Sequence, residues 1–381
     1  MMTPNPDDFD ADAAATYKPA FIAPLKRDKK TNGVWDAGLF DASGAPIPHA
    51  HLNLHKLTSQ ATPDVFKQST VAAKDIPGEW LFAGVLPRKT GHIILNALGR
   101  LWMTDHLPQS VGLLFVPHLY DPPEHPFLSQ LLTTLGLDRR CRLVTVPARV
   151  ECLHVGPDGF SSALQGQAAP EVVQWIRRRA NPNAGKIGSR KLYITRGRLS
   201  PLVGRHVCED ILEENLAQAG YEIIVPESMS LRDQFDLYSE ATEVIAAEGT
   251  ALHIAALALP DAARLVVIQR RHDVPDLIRN HLDCFLANPV VYLDAIDVMH
   301  WPEERAVNVA LTTLDFARLR IGLIEKDLIS PSDAWRIPTD TEILESRAKG
   351  RGQDARFLTL EDREKFLKAF RRRRRQKRRM K

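Results

Sequence analysis

The hydrophobic period of the chain switches back and forth between strand and helix. In the second half, short apolar runs at residues 191–195, 221–225, 243–247 and 264–268 read as buried strands. Between them, residues 207–219, 231–238 and 250–259 carry apolar positions at helical spacing. Gly220 ends the first of these helices and Pro260 the last. Ser230-Leu231-Arg232-Asp233 resembles a capping box for the middle one, which puts Leu231, Phe235 and Tyr238 on one face. The order is β-α-β-α-β-α-β. It predicts a parallel sheet with right-handed crossovers and helices on both faces.

The first half alternates less regularly. Residues 91–102 form a helical pattern through Ile93, Ile94, Ala97, Leu98, Leu101 and Trp102. A strand at 111–117, a glycine-ended helix at 126–136, a strand at 142–146 and a helix at 171–179 follow. The predicted fold class is α/β. An N-terminal α/β domain spans 31–180 and a C-terminal one 186–300, divided by the Pro/Gly/Asn-rich stretch 181–188. Residues 1–30 lack periodicity and are expected to form a mobile arm. Residues 34–40 alternate weakly, as a strand would, ahead of a turn at 41–44. Residues 289–293 read as one more strand. Residues 301–362 are expected to be helical segments, with amphipathic stretches at 307–311 and 316–328, and 363–381 a basic tail.

Composition adds bounds. A chain of 381 residues suits two domains at roughly 150 residues each. A hydrophobic share of 44% and a charged share of 25% are those of an ordinary soluble globular protein. No run approaches the roughly 18 apolar residues of a membrane span, and the acidic residues 1–12 do not read as a signal peptide. Cys141, Cys152, Cys208 and Cys284 form no C-x-x-C pair and no Cys/His metal spacing. They read as buried thiols in a reducing compartment, and the expected location is cytoplasmic. His49, His51 and His55 lie close together, but no carboxylate or cysteine completes a coordination set, so no metal site is predicted there.

Candidate chemistry gathers where strands of the second domain end. In open parallel sheets, ligands bind beyond the carboxyl ends of the strands. Gly249-Thr250-Ala251 turns directly from an apolar strand into a helix, with His253 in its first turn. The orphan N–H groups of such a helix start, and its positive dipole end, suit a phosphate. A routine βα turn that merely needs a glycine would read the same. Arg196 follows the strand 191–195 directly, with Arg198 and Arg205 in the same loop, and an arginine there can fork onto phosphate oxygens. Glu227 stands just past the strand 221–225 and Gln269 just past 264–268. Glu209 and Asp210 open a helix, where carboxylates are favoured by the dipole whether or not they touch a ligand.

The order of these pieces resembles glycosyltransferase family 61. The matching stretches are Tyr193-Ile194-Thr195-Arg196, then 205–212, then 220–227, then 230–235, then Ile245-Ala246-Ala247-Glu248-Gly249-Thr250-Ala251-Leu252-His253. The segment 91–102, with its histidine, apolar helix and Arg100-Leu101-Trp102, is similar to the family's first-domain motif. The resemblance implies a GT-B-like architecture: two Rossmann-like domains facing across a cleft, the C-terminal one holding a nucleotide-sugar. It also implies inversion at the anomeric carbon without a divalent metal or other cofactor. No Asp-x-Asp stands at a strand end.

The chain departs from the family pattern at Glu248, where histidine is common, and at Cys208, where asparagine is. A carboxylate facing a diphosphate would repel it. Either Glu248 points to a sugar hydroxyl, or His253 or Arg196 supplies the missing positive charge. On this reading Arg196, Arg205 and the N–H groups of Gly249, Thr250 and Ala251 stabilise the leaving diphosphate. Glu227, Glu248 and Gln234 accept hydrogen bonds from sugar and ribose hydroxyls. His92 is the catalytic base, with Asp105 as the alternative; a helix-capping role for His92 weighs equally. The implied function is transfer of a hexosyl or pentosyl unit to a saccharide or lipid-linked acceptor, as in bacterial surface or capsular polysaccharide biosynthesis. A non-catalytic anionic-ligand-binding or assembly module is the second reading, favoured by Glu248.

From residue 363 to the end there are twelve Lys or Arg and one Glu, while the whole chain carries only +3. The body is therefore acidic and the tail is a basic arm. The tail suits an anionic membrane surface, at about 1 kcal/mol per basic residue. A nucleic-acid face would be basic beyond one terminal arm, which disfavours that partner. A plain solvated end is the remaining reading.

Overall fold

The computed structural model describes residues 9–25, 34–52, 58–88, 90–118, 126–160, 166–181, 188–303, 309–350 and 356–379. His55, most of the expected boundary at 181–188 and residues 307–308 lie outside the described residues. The chain divides into two compact units. The first holds residues up to Ala184 together with His253–Ala258 and Asp276–Phe285. The second holds Gly185–Leu252, Leu259–Pro275 and Leu286–Lys381.

The first unit contains β1 (Ala15–Tyr17), β2 (Ala20–Ala23), β3 (Val34–Asp36), β4 (Gly38–Phe40), β5 (Thr58–Gln60) and α1 (Pro63–Val71). It continues with β6 (Lys74–Leu86), α2 (Thr90–Ala97), β7 (Gly112–Pro117), α3 (Pro126–Thr134), β8 (Cys141–Leu143), β9 (Ala148–Val155) and α4 (Pro170–Ala180). A seven-stranded sheet runs β4-β2-β9-β6-β7-β8, with β1 also paired to β9. Strands β9, β6, β7 and β8 are parallel, and β1, β2 and β4 add an antiparallel border. Residues 15–23 were expected in a mobile arm; instead they supply two of these strands, because Ala20, Ile22 and Ala23 bury against the sheet. The 13-residue β6 is absent from the sequence reading. Its Trp80 and Phe82 share a buried cluster with Leu114, Val116 and Val150. Burying each such side chain contributes roughly 1.5–3 kcal/mol.

The second unit contains β10 (Arg190–Ile194), β11 (Arg205–His206), α5 (Glu209–Gln218), β12 (Glu222–Ile224), α6 (Leu231–Ser239) and β13 (Ala241–Ala247). Then come α7 (Ala251–Ala258), β14 (Arg264–Ile268), α8 (Asp276–Phe285), β15 (Val291–Leu293) and β16 (Ile296–Pro302), α7 and α8 belonging largely or wholly to the first unit. Last are β17 (Leu311–Leu314), α9 (Phe316–Glu325), α10 (Asp340–Ala348), β18 (Phe357–Leu358) and α11 (Leu360–Arg379). The five-stranded sheet β12-β10-β13-β14-β15 is parallel throughout, as the alternating pattern predicts. Tyr193, Ile245, Val266 and Ile268 of this sheet pack with Leu212 and Leu216 of α5 and Leu319 and Leu323 of α9. Ser230 caps α6 by accepting the Asp233 N–H at 3.1 Å.

Two C-terminal expectations change. Residues 301–362 are not all helical: β17 and β18 join β11 and β16 in a four-stranded sheet. The basic tail is not a separate arm, since α11 runs unbroken from Leu360 into the arginine run, and Phe366 packs with Trp301 and Ala310. No helix among the described residues is long and apolar enough to cross a membrane.

Candidate anion-binding site

Four adjacent strands of the second unit end side by side, and each delivers one piece of the site. Strand β10 ends into Thr195-Arg196, β12 into the short turn Pro226–Ser228, β13 into Glu248-Gly249, and β14 into Gln269-Arg270-Arg271. Helix α7 starts directly after Gly249-Thr250.

Arg196 is placed by Glu209. The buried Glu209 carboxylate accepts the Arg196 backbone N–H at 2.7 Å, the Tyr193 hydroxyl at 3.0 Å and the Thr195 hydroxyl at 3.0 Å. Burial raises the Glu209 pKa despite these bonds. Glu209 is thus a strand-end anchor, more than a helix-start charge. The Arg196 side chain lies across Gly249 and donates through Nη2 to the Gly204 carbonyl at 3.1 Å. A Cβ on Gly249 would meet Arg196 Nη1 at 2.2 Å, so only glycine leaves the guanidinium its place. Gly204 does the same for Arg270, whose Nη1 would lie 2.4 Å from an added Cβ.

Arg270 and Arg271 escaped the sequence reading. A charged pair just past a strand looks like a solvated loop. The nearest signal was Gln269, whose Nε2 donates to the Arg271 and His272 carbonyls at 3.2 and 3.1 Å and shapes the turn. Burial lowers the Arg196 pKa, against the pull of Glu209, Glu248 and Glu227. Burial and then the neighbouring Arg196 charge push Arg270 down to about 10. Guanidinium groups keep their charge in proteins, so the two stand here as crowded cations.

Glu248 is fully buried and does not present a free carboxylate. One oxygen is held by the Arg271 guanidinium and the other accepts the Arg270 N–H at 3.0 Å. The carboxylate thereby fixes two arginines. His253 also differs from expectation. It is 4% exposed, and burial followed by the nearby His92 charge holds its pKa at about 4. It is neutral near pH 7, so positive charge comes from the arginines.

The other predicted residues scatter. Arg205 donates to the Ser346 carbonyl of α10 at 2.8 Å and lines a cavity of about 410 Å³ with Arg198, Glu209 and Glu342. Glu227 is exposed, and its charge is felt at Arg196. Gln234 is buried and donates to the Pro226 carbonyl at 2.9 Å, which fixes the turn that carries Glu227. Thr250 is exposed and Ala251 opens α7.

In the first unit, His92 sits partly buried in the first turn of α2, just past the end of β6. Asp105 is ion-paired with Arg179. Burial raises the Asp105 pKa, but hydrogen bonds from Arg179 and Trp175 and the charges of Arg179 and Arg178 together outweigh it, and the net shift is down. A carboxylate held that way is a weak base.

Arginines and a helix start at the carboxyl ends of a parallel sheet are an arrangement that suits an anion. Residues 90–266 match the family Glycosyltransferase 61. Over this stretch the chain therefore carries a glycosyltransferase family 61 domain. The match runs from α2 into β14 and covers the residues proposed from the sequence for catalysis and donor binding, His92 to His253; Gln269, Arg270 and Arg271 lie just beyond it. No curated protein matches the chain.

Proposed function

We propose that the protein transfers a hexosyl or pentosyl unit from a nucleotide-sugar to a saccharide or lipid-linked acceptor, with inversion and without a divalent metal. The observation that carries this reading is the convergence of Arg196, Arg270 and the start of α7 at one sheet edge. In the transfer, the acceptor oxygen attacks the anomeric carbon as the bond to the diphosphate breaks. The departing negative charge falls to Arg196, Arg270 and the N–H groups of Gly249, Thr250 and Ala251. The acceptor proton goes to His92. Glu248 acts through Arg270 and Arg271 rather than on the sugar, and Glu227 remains the hydroxyl acceptor.

The reading includes the GT-B-like pair of Rossmann-like domains that the family resemblance implies. It also includes a place in surface or capsular polysaccharide assembly at the cytoplasmic face of a membrane, with the arginine-rich end of α11 on anionic lipid. The test is a saturation-transfer screen of purified protein against UDP-, GDP- and CMP-sugars, with and without magnesium. One nucleotide bound without metal supports the reading. Binding to none of them supports a non-catalytic module instead.

A further inference from the structure

The first unit holds a side-chain cluster that transfer chemistry does not use. Cys152 and His154 stand two residues apart on β9, so both point to one face of the sheet. Glu79 of β6 is in register with Cys152. It arrives there through a bulge: pairing steps from Ile76 opposite Val150 to Glu79 opposite Cys152, three residues against two. Gly78 takes the extra position with φ +82°, and its N–H donates to Glu151 Oε2 at 2.6 Å.

The outcome is a compact donor set. Cys152 Sγ is 3.9 Å from His154 Nε2, and His154 Nε2 is 3.6 Å from Glu79 Oε2. All three donor atoms lie within 4.8 Å of one another. Ligands at the usual bond lengths of a tetrahedral Zn²⁺ stand roughly 3.3–3.8 Å apart, so little movement closes the set.

A second observation concerns the far side of the imidazole. Thr16 of β1 is in register with His154, and its Oγ1 lies 2.9 Å from Nδ1. A proton on Nδ1 donated to that hydroxyl leaves the Nε2 lone pair facing Cys152 and Glu79. Metal-binding histidines are oriented in this way by an outer partner.

We propose that Cys152, His154 and Glu79 form a Zn²⁺ site, with a fourth position open to water beside the half-exposed Glu79. Mixed thiolate, imidazole and carboxylate donors suit Zn²⁺, whereas Mg²⁺ and Ca²⁺ take oxygen ligands. The thiol sits among Lys18, Glu79 and Glu151, and it would release its proton on binding. The cation ties β9 to β6 and takes no part in sugar transfer.

The test uses the full chain, stripped with a chelator. Calorimetry with Zn²⁺ and visible absorption with Co²⁺ should each show one equivalent, with a thiolate-to-cobalt band that Cys152→Ser removes. Glu79→Gln changes an exposed residue, so the fold is kept, and should weaken binding at least tenfold. Thr16→Val keeps all three ligands and should weaken it by about 10–100-fold. Circular dichroism checks folding. Absence of stoichiometric binding to the wild-type chain overturns the proposal. So does Zn²⁺ affinity unchanged in Cys152→Ser and Glu79→Gln.

Discussion

Gly249→Ala separates binding from stability at the proposed phosphate site. The added Cβ would stand 2.2 Å from Arg196 Nη1, 3.0 Å from its Cζ and 3.1 Å from its Cδ. An ordinary contact needs about 3.4 Å, so Nη1 must retreat by about 1.2 Å. The obstacle is the far end of a flexible side chain, so the fold yields cheaply. Loss of the Arg196–Gly204 hydrogen bond costs about 0.5–1.5 kcal/mol. Gly249 is not among the positive-φ glycines, so alanine returns about 0.4–1 kcal/mol by restricting the unfolded chain. The net change in stability is expected to stay within about 1 kcal/mol. A displaced Arg196 loses charge-assisted bonds to phosphate worth about 1.5–3 kcal/mol, or roughly 10–150-fold in affinity. The assay is calorimetric titration with the nucleoside diphosphate of the donor found by screening, at one salt concentration. It compares wild type, Gly249→Ala, Arg196→Ala and the double variant. The double variant should bind no more weakly than Arg196→Ala, since both remove one interaction. Wild-type affinity in Gly249→Ala would refute the reasoning. So would a full additive loss in the double variant, because the methyl would then act on the ligand itself.

The Arg100 guanidinium is 2% exposed, paired with Asp158 at 2.7 Å and bonded to the His49 carbonyl; Arg100→Met should cost about 3–5 kcal/mol in urea unfolding, partly restored by Asp158→Asn, and a cost below about 1 kcal/mol would contradict a buried pair. Burial and the Arg270 charge hold His206 at about 3, and burial and the His92 charge hold His253 at about 4, so the unfolded chain takes up protons first. Stability should be complete above about pH 6.5 and fall below it, by about 2 kcal/mol per histidine at pH 5, and an unchanged urea midpoint between pH 7 and 5 would count against both assignments. Deleting residues 371–381 spares Phe366 and should leave the thermal midpoint in place while abolishing salt-sensitive binding to anionic vesicles; retained binding would remove the arginine run from that role.

What was legible in the sequence was local. The strand-glycine-helix turn at 247–251 and the parallel order β12 to β14 depend on neighbours a few residues apart, and periodicity reports those. Strand β6 was not legible, because Pro77-Gly78 inside it reads as a turn and Gly78 in fact makes a bulge. The same bulge brings Glu79 to Cys152, which cysteine spacing along the chain could not disclose. Arg270 and Arg271 hid for a related reason: their places depend on Glu248, 22 residues before Arg270, and on the more distant Gly204. Glu248 carries the clearest lesson about charge. Read along the chain, it is an anion in front of a phosphate and argues against function. In the fold, one arginine side chain and one arginine backbone N–H take up its two oxygens, and the carboxylate becomes the reason those arginines stand where they do. The sign of a residue's effect on a ligand depends on which partners have already claimed it.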